Sequence, residues 1–343
     1  MGQGATRSSF LKFLPASLFG AIMALAGLSS GWKQAARTWG APLWVNEAIG
    51  VVAIVLFLVL AVAYLVRIKR YPQFVKAEFN HPVSVCFFAT IPISLLLIPG
   101  ILRQYDLLLA EWVWGIAAIL MFLFAWMVMR KWLDNRQDPG NALPAWVLPV
   151  AGTLNVPIAG IHLPIRGVNE ICLFFYGIGI LFAIILTTIV ISRLFFQPAM
   201  PGAVQPTLLI LVGTFALASS DAAGFPERQD IFASIFFYFD LFLLLLLGSK
   251  IFLLPKCCPF RVSWWSVSFP LAAITAAAFH HTEFNDAWVF KMIAGVLLTL
   301  SSFVILFLLV QTFGKIIKGD LFLEDAAAEK AMAPLHEPAA EGK

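Results

Sequence analysis

Long apolar runs, separated only by short charged or proline- and glycine-rich breaks, fill the sequence from residue 13 to residue 313. A helix rises 1.5 Å per residue, so about 20 apolar residues cross the roughly 30 Å of hydrocarbon in a bilayer. Runs of that length are read at 13–30, 45–66, 83–102, 110–129, 143–161, 169–192, 204–220, 230–249, 262–280 and 288–313, ten in all. Of the 343 residues 61% are apolar and 12% charged, against roughly 45–50% and about 25% in soluble domains, and one buried core could not absorb them. A disordered, nucleic-acid-binding or secreted disulfide-rich chain is excluded by the same arithmetic. An outer-membrane barrel is excluded because 51–66 and 296–310 are unbroken apolar runs with no period of two. The expected fold class is an all-α polytopic membrane protein.

Lysine and arginine in short loops resist translocation and so report orientation. One set of alternate breaks holds Arg7, Lys12, Arg67, Lys69, Arg70, Lys76, Arg130, Lys131, Arg136, Arg193, Lys250, Lys256, Arg261, Lys315 and Lys318. The other holds Lys33, Arg37, Arg103, Arg166, Arg228 and Lys291. Fifteen against six predicts both termini in the cytoplasm. The chain then divides into a cytoplasmic amino terminus (1–12), a ten-helix membrane domain (13–315) and a tail (316–343). The tail is rich in Ala, Glu and Pro, has no apolar period and reads as solvated and disordered. The expected location is the inner (plasma) membrane of a bacterium.

The ten runs alternate in kind. The odd ones carry Pro15; Pro82, Pro92 and Pro99; Pro144, Pro149 and Pro157; Pro206; and Pro270, with many small residues, whereas the even ones lack interior proline and are largely Leu, Ile, Val and Phe. Proline frees a carbonyl that lipid cannot satisfy, which predicts the odd runs inside and the even runs as wall. Pairing each odd run with the next gives five hairpins starting near 13, 83, 143, 204 and 262. They imply five bent inner helices around a pore, enclosed by five outer ones; a bundle whose prolines merely kink is the alternative.

The inner runs carry no Lys, Arg, Asp, Glu or His between their ends, so no fixed midplane charge marks a coupled carrier. They do carry Phe19, Phe87, Phe88, Phe215 and Phe269, and rings facing an axis make an apolar constriction. Phe269 stands out beside Pro270 in Trp264-Trp265-Ser266-Val267-Ser268-Phe269-Pro270-Leu271, where a bend would swing its ring inward. That run resembles the ninth-helix signature of the tellurite-resistance and C4-dicarboxylate transporter family, which includes bacterial TehA and the slow anion channels of plant guard cells. Leu14-Pro15-Ala16-Ser17-Leu18-Phe19-Gly20, Phe79-Asn80-His81-Pro82 with Ile91-Pro92-Ile93-Ser94, and Gln205-Pro206-Thr207 are similar to that family in the same order. The seventh run, Leu211-Val212-Gly213-Thr214-Phe215, departs from the family's proline pair, and the plant channels' long termini have no counterpart.

The resemblance implies five inner and five outer helices, a homotrimer with one pore per subunit, and conduction of small inorganic anions past a phenylalanine gate matching Phe269. Gly20, Phe19, Phe88, Phe215 and Pro270 are then expected along the pore. Exposed amides, Ser and Thr hydroxyls and cytoplasmic cations would select weakly, favouring nitrate and iodide over chloride, with poor malate permeation. The alternative is an ion-coupled carrier for C4-dicarboxylates or tellurite-like oxyanions.

Asp240 reads as the only ionisable group deep in a run, and is weighed as polar glue with a Ser, Thr or subunit partner against a coupling site. His280, His281, Glu283 and Asp286 read as a solvated loop rather than a metal site, Cys257-Cys258 as unmodified thiols, and His81 as a helix cap. No nucleophile elbow, P-loop or dinucleotide fingerprint is present, so enzyme chemistry, cofactors and nucleic-acid partners are not expected.

Overall fold

The computed structural model describes residues 11–225, 230–257 and 260–318. Arg7, Arg228, Cys258 and the sequence after Lys318 lie outside these, as do the side chains of Lys250, Lys256 and Cys257. Among the described residues there is no strand. In chain order the helices are α1 (Gly20–Trp39), α2 (Leu43–Arg70), α3 (Pro72–Asn80), α4 (Ser84–Leu102), α5 (Leu107–Asp134), α6 (Leu148–Ala151), α7 (Asn155–Gly160), α8 (Val168–Phe196), α9 (Gly202–Gly224), α10 (Asp230–Cys257), α11 (Val262–Phe284) and α12 (Trp288–Lys318). Eight of them, α2, α4, α5 and α8 through α12, are long and apolar enough to cross a membrane.

Burial runs opposite to hydropathy. The most apolar stretch of α2 has a mean hydropathy of 3.1 and only 17% of it is buried, whereas that of α11 has 1.4 and 83%. Leu58, Val62, Leu123, Leu181 and Leu245 are among many large apolar side chains left exposed on the outer helices, a belt suited to lipid or to another apolar surface. The small residues of α1, α9 and α11 are in the interior because their packing lets backbones approach.

Four expected boundaries move, each for a local reason. The first run continues as helix to Trp39, so Lys33 and Arg37 are helical rather than loop residues. The run 143–161 is no single helix: a 3-10 turn Pro144–Val147, α6, a second 3-10 turn Gly152–Leu154 and α7 follow one another, because Pro144, Pro149 and Pro157 each remove a donor from the ladder. Side chains add local bonds here: Asn155 Nδ2 donates to Gly152 O at 2.9 Å, and Thr153 Oγ1 to Val150 O at 2.8 Å. The seventh run starts as 3-10 turns through Leu209 and reaches Gly224, which takes Asp221 into the helix. The ninth reaches Phe284 and takes His280, His281 and Glu283 with it. These are therefore not loop residues, and the His281 ring stacks on Phe237 at 4.6 Å.

Buried polar contacts hold the ends of the inner segments. Thr90 Oγ1 donates to Ala16 O at 2.8 Å, Ser94 Oγ to Phe19 O at 3.1 Å, and Trp265 Nε1 to Thr312 Oγ1 at 3.0 Å. Before α1, the Ala16 amide donates to Glu78 Oε1 at 3.0 Å, and Glu78 Oε2 is ion-paired with Arg67. Arg67 also donates to Lys12 O and Tyr64 Oη, both at 3.3 Å. Arg67 is 4% and Glu78 8% exposed, so this is a desolvated pair with its remaining hydrogen-bonding positions largely used. His81 Nδ1 accepts from the Val83 and Ser84 amides at 3.3 and 3.1 Å, capping α4; burial lowers the pKa of its imidazole, as an accepting nitrogen requires.

Candidate functional site

Two cavities lie between the proline-bearing segments. The smaller, about 50 Å³, is lined only by these segments, each of the five contributing: Gly20, Thr90, Asn155, Thr214 and Phe269 are one from each. The larger, about 510 Å³, opens toward the C-terminal ends of the same segments, and Asn46 of α2 is its one lining residue from elsewhere. Phe269 and Leu217 border both cavities.

The position of Phe269 follows from a change of winding. Val262–Val267 forms 3-10 turns, Ser268 Oγ donates to Trp265 O at 2.7 Å, and the α-helix proper starts at Ser268. Pro270 thus sits in a first helical turn, where its missing N–H costs little, and the 3-10 to α junction aims the ring rather than a proline kink in mid-helix. Two glycines admit the neighbours. A Cβ on Gly213 would stand 2.9 Å from Pro270 Cα, and one on Gly27 would stand 2.9 Å from Ala272 Cβ and 3.8 Å from Phe269 Cδ2. Backbones of α9 and α1 therefore close on α11 on either side of the ring.

The other residues singled out in the sequence separate into two groups. Gly20, Phe269 and Pro270 line the smaller cavity, as does Phe87. Phe19, Phe88 and Phe215 border neither. Phe19 packs edge-on against Phe57 and Tyr64 of α2, Phe88 against Phe79, and Phe215 against Phe239 of α10, at centroid distances of 5.9, 6.0, 5.1 and 4.8 Å. Asp240 on α10 borders neither cavity, is fully buried, and has no hydrogen-bond partner for either carboxylate oxygen among the described residues. The expected Ser or Thr partner is absent there, and the side chain is covered within one subunit.

The chemistry of the two cavities differs. In the smaller, the Thr90 hydroxyl is shared between the Ala16 and Phe87 carbonyls and the Thr214 hydroxyl donates to Ile210 O at 3.0 Å, which leaves mostly hydrocarbon facing the space. The larger gathers Lys33, Arg37, Arg103, His162 and His280 with Asp221 and Glu283. His280 Nδ1 lies 3.6 Å from Glu283 Oε1. Lys33, Arg37 and Arg103 make no hydrogen bond or ion pair with any described residue. Lys33 and Arg37 are four apart on α1 and share a face, an arrangement that costs about 0.2–0.5 kcal/mol. His162 is exposed to the cavity yet walled by protein: burial first, then Arg103, His280, Arg37 and Lys33, push its imidazole down to about 4, so it is neutral at pH 7. Burial and then Arg37 likewise lower the Arg103 guanidinium. Asp221, one turn beyond Leu217, is fully buried with neither oxygen partnered among the described residues.

Residues 14–313 match the family model SLAC1, described as voltage-dependent anion channel. The chain belongs to the SLAC1 family. It is 25% identical over 93% of its length to the S-type anion channel SLAH3 of Arabidopsis thaliana, of which it spans 51%. It is 26% identical over 91% of its length to the tellurite resistance protein TehA homolog of Haemophilus influenzae, covering 93% of that protein. An uncharacterized transporter of Methanocaldococcus jannaschii is 29% identical over 78% of the chain and 85% covered. The chain thus spans about half the length of the plant channel and nearly all of the bacterial relative. As a SLAC1-family member with eight helices long and apolar enough to cross a bilayer, it is an integral membrane protein. What the sequence reading of this SLAC1-family chain missed is the larger cavity: Lys33, Arg37 and Arg103 were legible only as loop charges, and Asp221 fell one residue past an expected helix end. The i, i+4 spacing of Lys33 and Arg37, following an apolar run, was the available signal.

Proposed function

We propose that the protein is a gated channel for small monovalent anions, nitrate and chloride among them, whose pathway runs through both cavities and is closed by Phe269. The observation that carries this reading is that Phe269, with Leu217, borders both cavities. An apolar ring across a narrow path bars ions by leaving them no partner for their lost water, and its rotation opens the path. The lining of the smaller cavity by five proline-bearing segments alone supports five inner and five outer helices arranged as hairpins within 13–315. The charge bias supports cytoplasmic termini and an inner-membrane location, with the larger cavity facing outward. A homotrimer with one pore per subunit is carried over from the family resemblance.

The test is current from the purified protein in planar bilayers under a nitrate or chloride gradient. Phe269→Ala is expected to raise a small wild-type current at least tenfold and to reverse near the anion potential. Silence from both proteins, with dicarboxylate flux driven by a proton gradient, overturns the channel reading. The unpartnered carboxyls of Asp221 and Asp240 favour that second reading, an ion-coupled carrier for dicarboxylates or tellurite-like oxyanions. Under the channel reading, Asp240→Asn leaves conduction and its pH dependence intact.

A further inference from the structure

The larger cavity brings Lys33 and Arg37 from α1 together with Arg103 beyond α4, and no carboxylate stands within ion-pair reach of any of the three among the described residues. Five helical segments end their C-termini around this space, and C-terminal carbonyls carry negative partial charge. A mouth built that way would repel anions, and the three cations reverse its sign. Two of them are guanidinium groups, whose planar forks match the oxygen edges of an oxyanion. The way onward narrows from about 510 Å³ to about 50 Å³ at Phe269 and Leu217, where hydrocarbon replaces donors. Stripping water from an ion costs energy that rises with the square of its charge, so this step discriminates steeply between one charge and two. Asp221 and Glu283 line the same cavity, and any negative charge they carry adds to the cost of moving a dianion further.

We propose that the larger cavity is a binding site for a small doubly charged oxyanion of the sulfate class, held by Lys33, Arg37 and Arg103 above the Phe269 ring, and that its occupancy obstructs monovalent anions. The obstruction rests on the channel reading; the binding does not. Burial is the first cause of the lowered His162 pKa, and Arg103, His280, Arg37 and Lys33 add to it, so His162 shares the cavity's positive surroundings.

Binding is tested by calorimetric titration of sodium sulfate into the purified full-length protein in a detergent free of phospholipid, at constant ionic strength. Saturable binding to the wild type, weakened about tenfold or more in the Lys33→Gln/Arg37→Gln/Arg103→Gln variant, is expected. Equal binding by both proteins, or none by the wild type, overturns the proposal. If the triple variant does not purify, Arg103→Lys, which keeps the charge and loses the fork, must weaken binding about threefold, and unchanged affinity overturns it. Displacement of sulfate by phosphatidylglycerol assigns the site to a lipid phosphate and likewise overturns it. The obstruction is tested in bilayers with Phe269→Ala: sulfate on the cavity side lowers nitrate current several-fold and sulfate on the opposite side does not. Bound sulfate without block refutes the obstruction alone, whereas silent bilayers with intact calorimetry refute the channel reading and leave the site standing.

Discussion

At one end of the helical bundle a cation and an anion are buried together; at the other, three cations line a cavity of about 510 Å³ and are ion-paired with no described carboxylate. Arg67 and Glu78 are less than a tenth exposed and occupy each other, the Ala16 amide, the Lys12 carbonyl and the Tyr64 hydroxyl. Lys33, Arg37 and Arg103 occupy no described group. A buried charge whose partner is removed has nowhere to recover its hydration, so the first arrangement is bound up with folding. Charges that line a cavity of about 510 Å³ without a partner hold no other group in place, and deleting one strands no counter-charge. The contrast separates charge that holds a structure from charge that is available to a ligand.

The largest effect expected from breaking this contrast is at the paired end. Glu78→Ala strands Arg67 and unties the start of α1, and should cost about 3–5 kcal/mol, read as a collapse of the apparent Tm in detergent that added salt does not restore. Between the two ends, Gly213→Ala forces a Cβ against the Pro270 backbone and should cost about 1–3 kcal/mol while moving the Phe269 ring, measurable as a lower Tm with altered conductance. At the unpaired end the sign reverses: Lys33→Gln relieves its repulsion from Arg37 and should leave stability unchanged or raise it by about 0.2–0.5 kcal/mol, with the gain fading in high salt.

The smallest effect sharpens the comparison through pH. The folded-state pKa of His162 is depressed to about 4 by burial and by Arg103, His280, Arg37 and Lys33, with Asp221 and Glu283 on the same cavity. As pH falls from about 6.5 toward 4, the unfolded chain takes up a proton that the folded chain refuses, and stability declines across that window. The Tm-against-pH curve of the wild type should therefore fall faster there than that of His162→Gln, and sulfate should flatten the difference. An unchanged curve in the variant would mean that His162 does not feel the cluster.

Much of the fold was legible because hydrocarbon thickness leaves few choices for runs such as 45–66 or 288–313. The proline-rich runs were read correctly as interior, yet 143–161 was read as one helix, since periodicity does not report where a ladder interrupted at Pro144, Pro149 and Pro157 switches between 3-10 and α turns. Phe269 was legible from its place beside Pro270, although the junction at Ser268 that directs it was not. Phe19, Phe88 and Phe215 were indistinguishable from it in sequence, because which side of a helix a ring takes depends on neighbours such as Tyr64, Phe79 and Phe239. The cations of the larger cavity were counted for topology alone; their convergence is a property of three dimensions.

The opposition of hydropathy and burial has a consequence for how the chain enters its membrane. Segments such as α1 and the broken stretch through α6 and α7 are too polar or too interrupted to partition into lipid by themselves, and neither is among the eight helices that could cross unaided. Val156 lends its carbonyl to Trp114 of α5, and Gly160 lies against that same indole and Cys172 of α8, so the broken stretch fits only beside greasy neighbours. Such a segment is therefore expected to become stable in the bilayer only together with the neighbours that cover it.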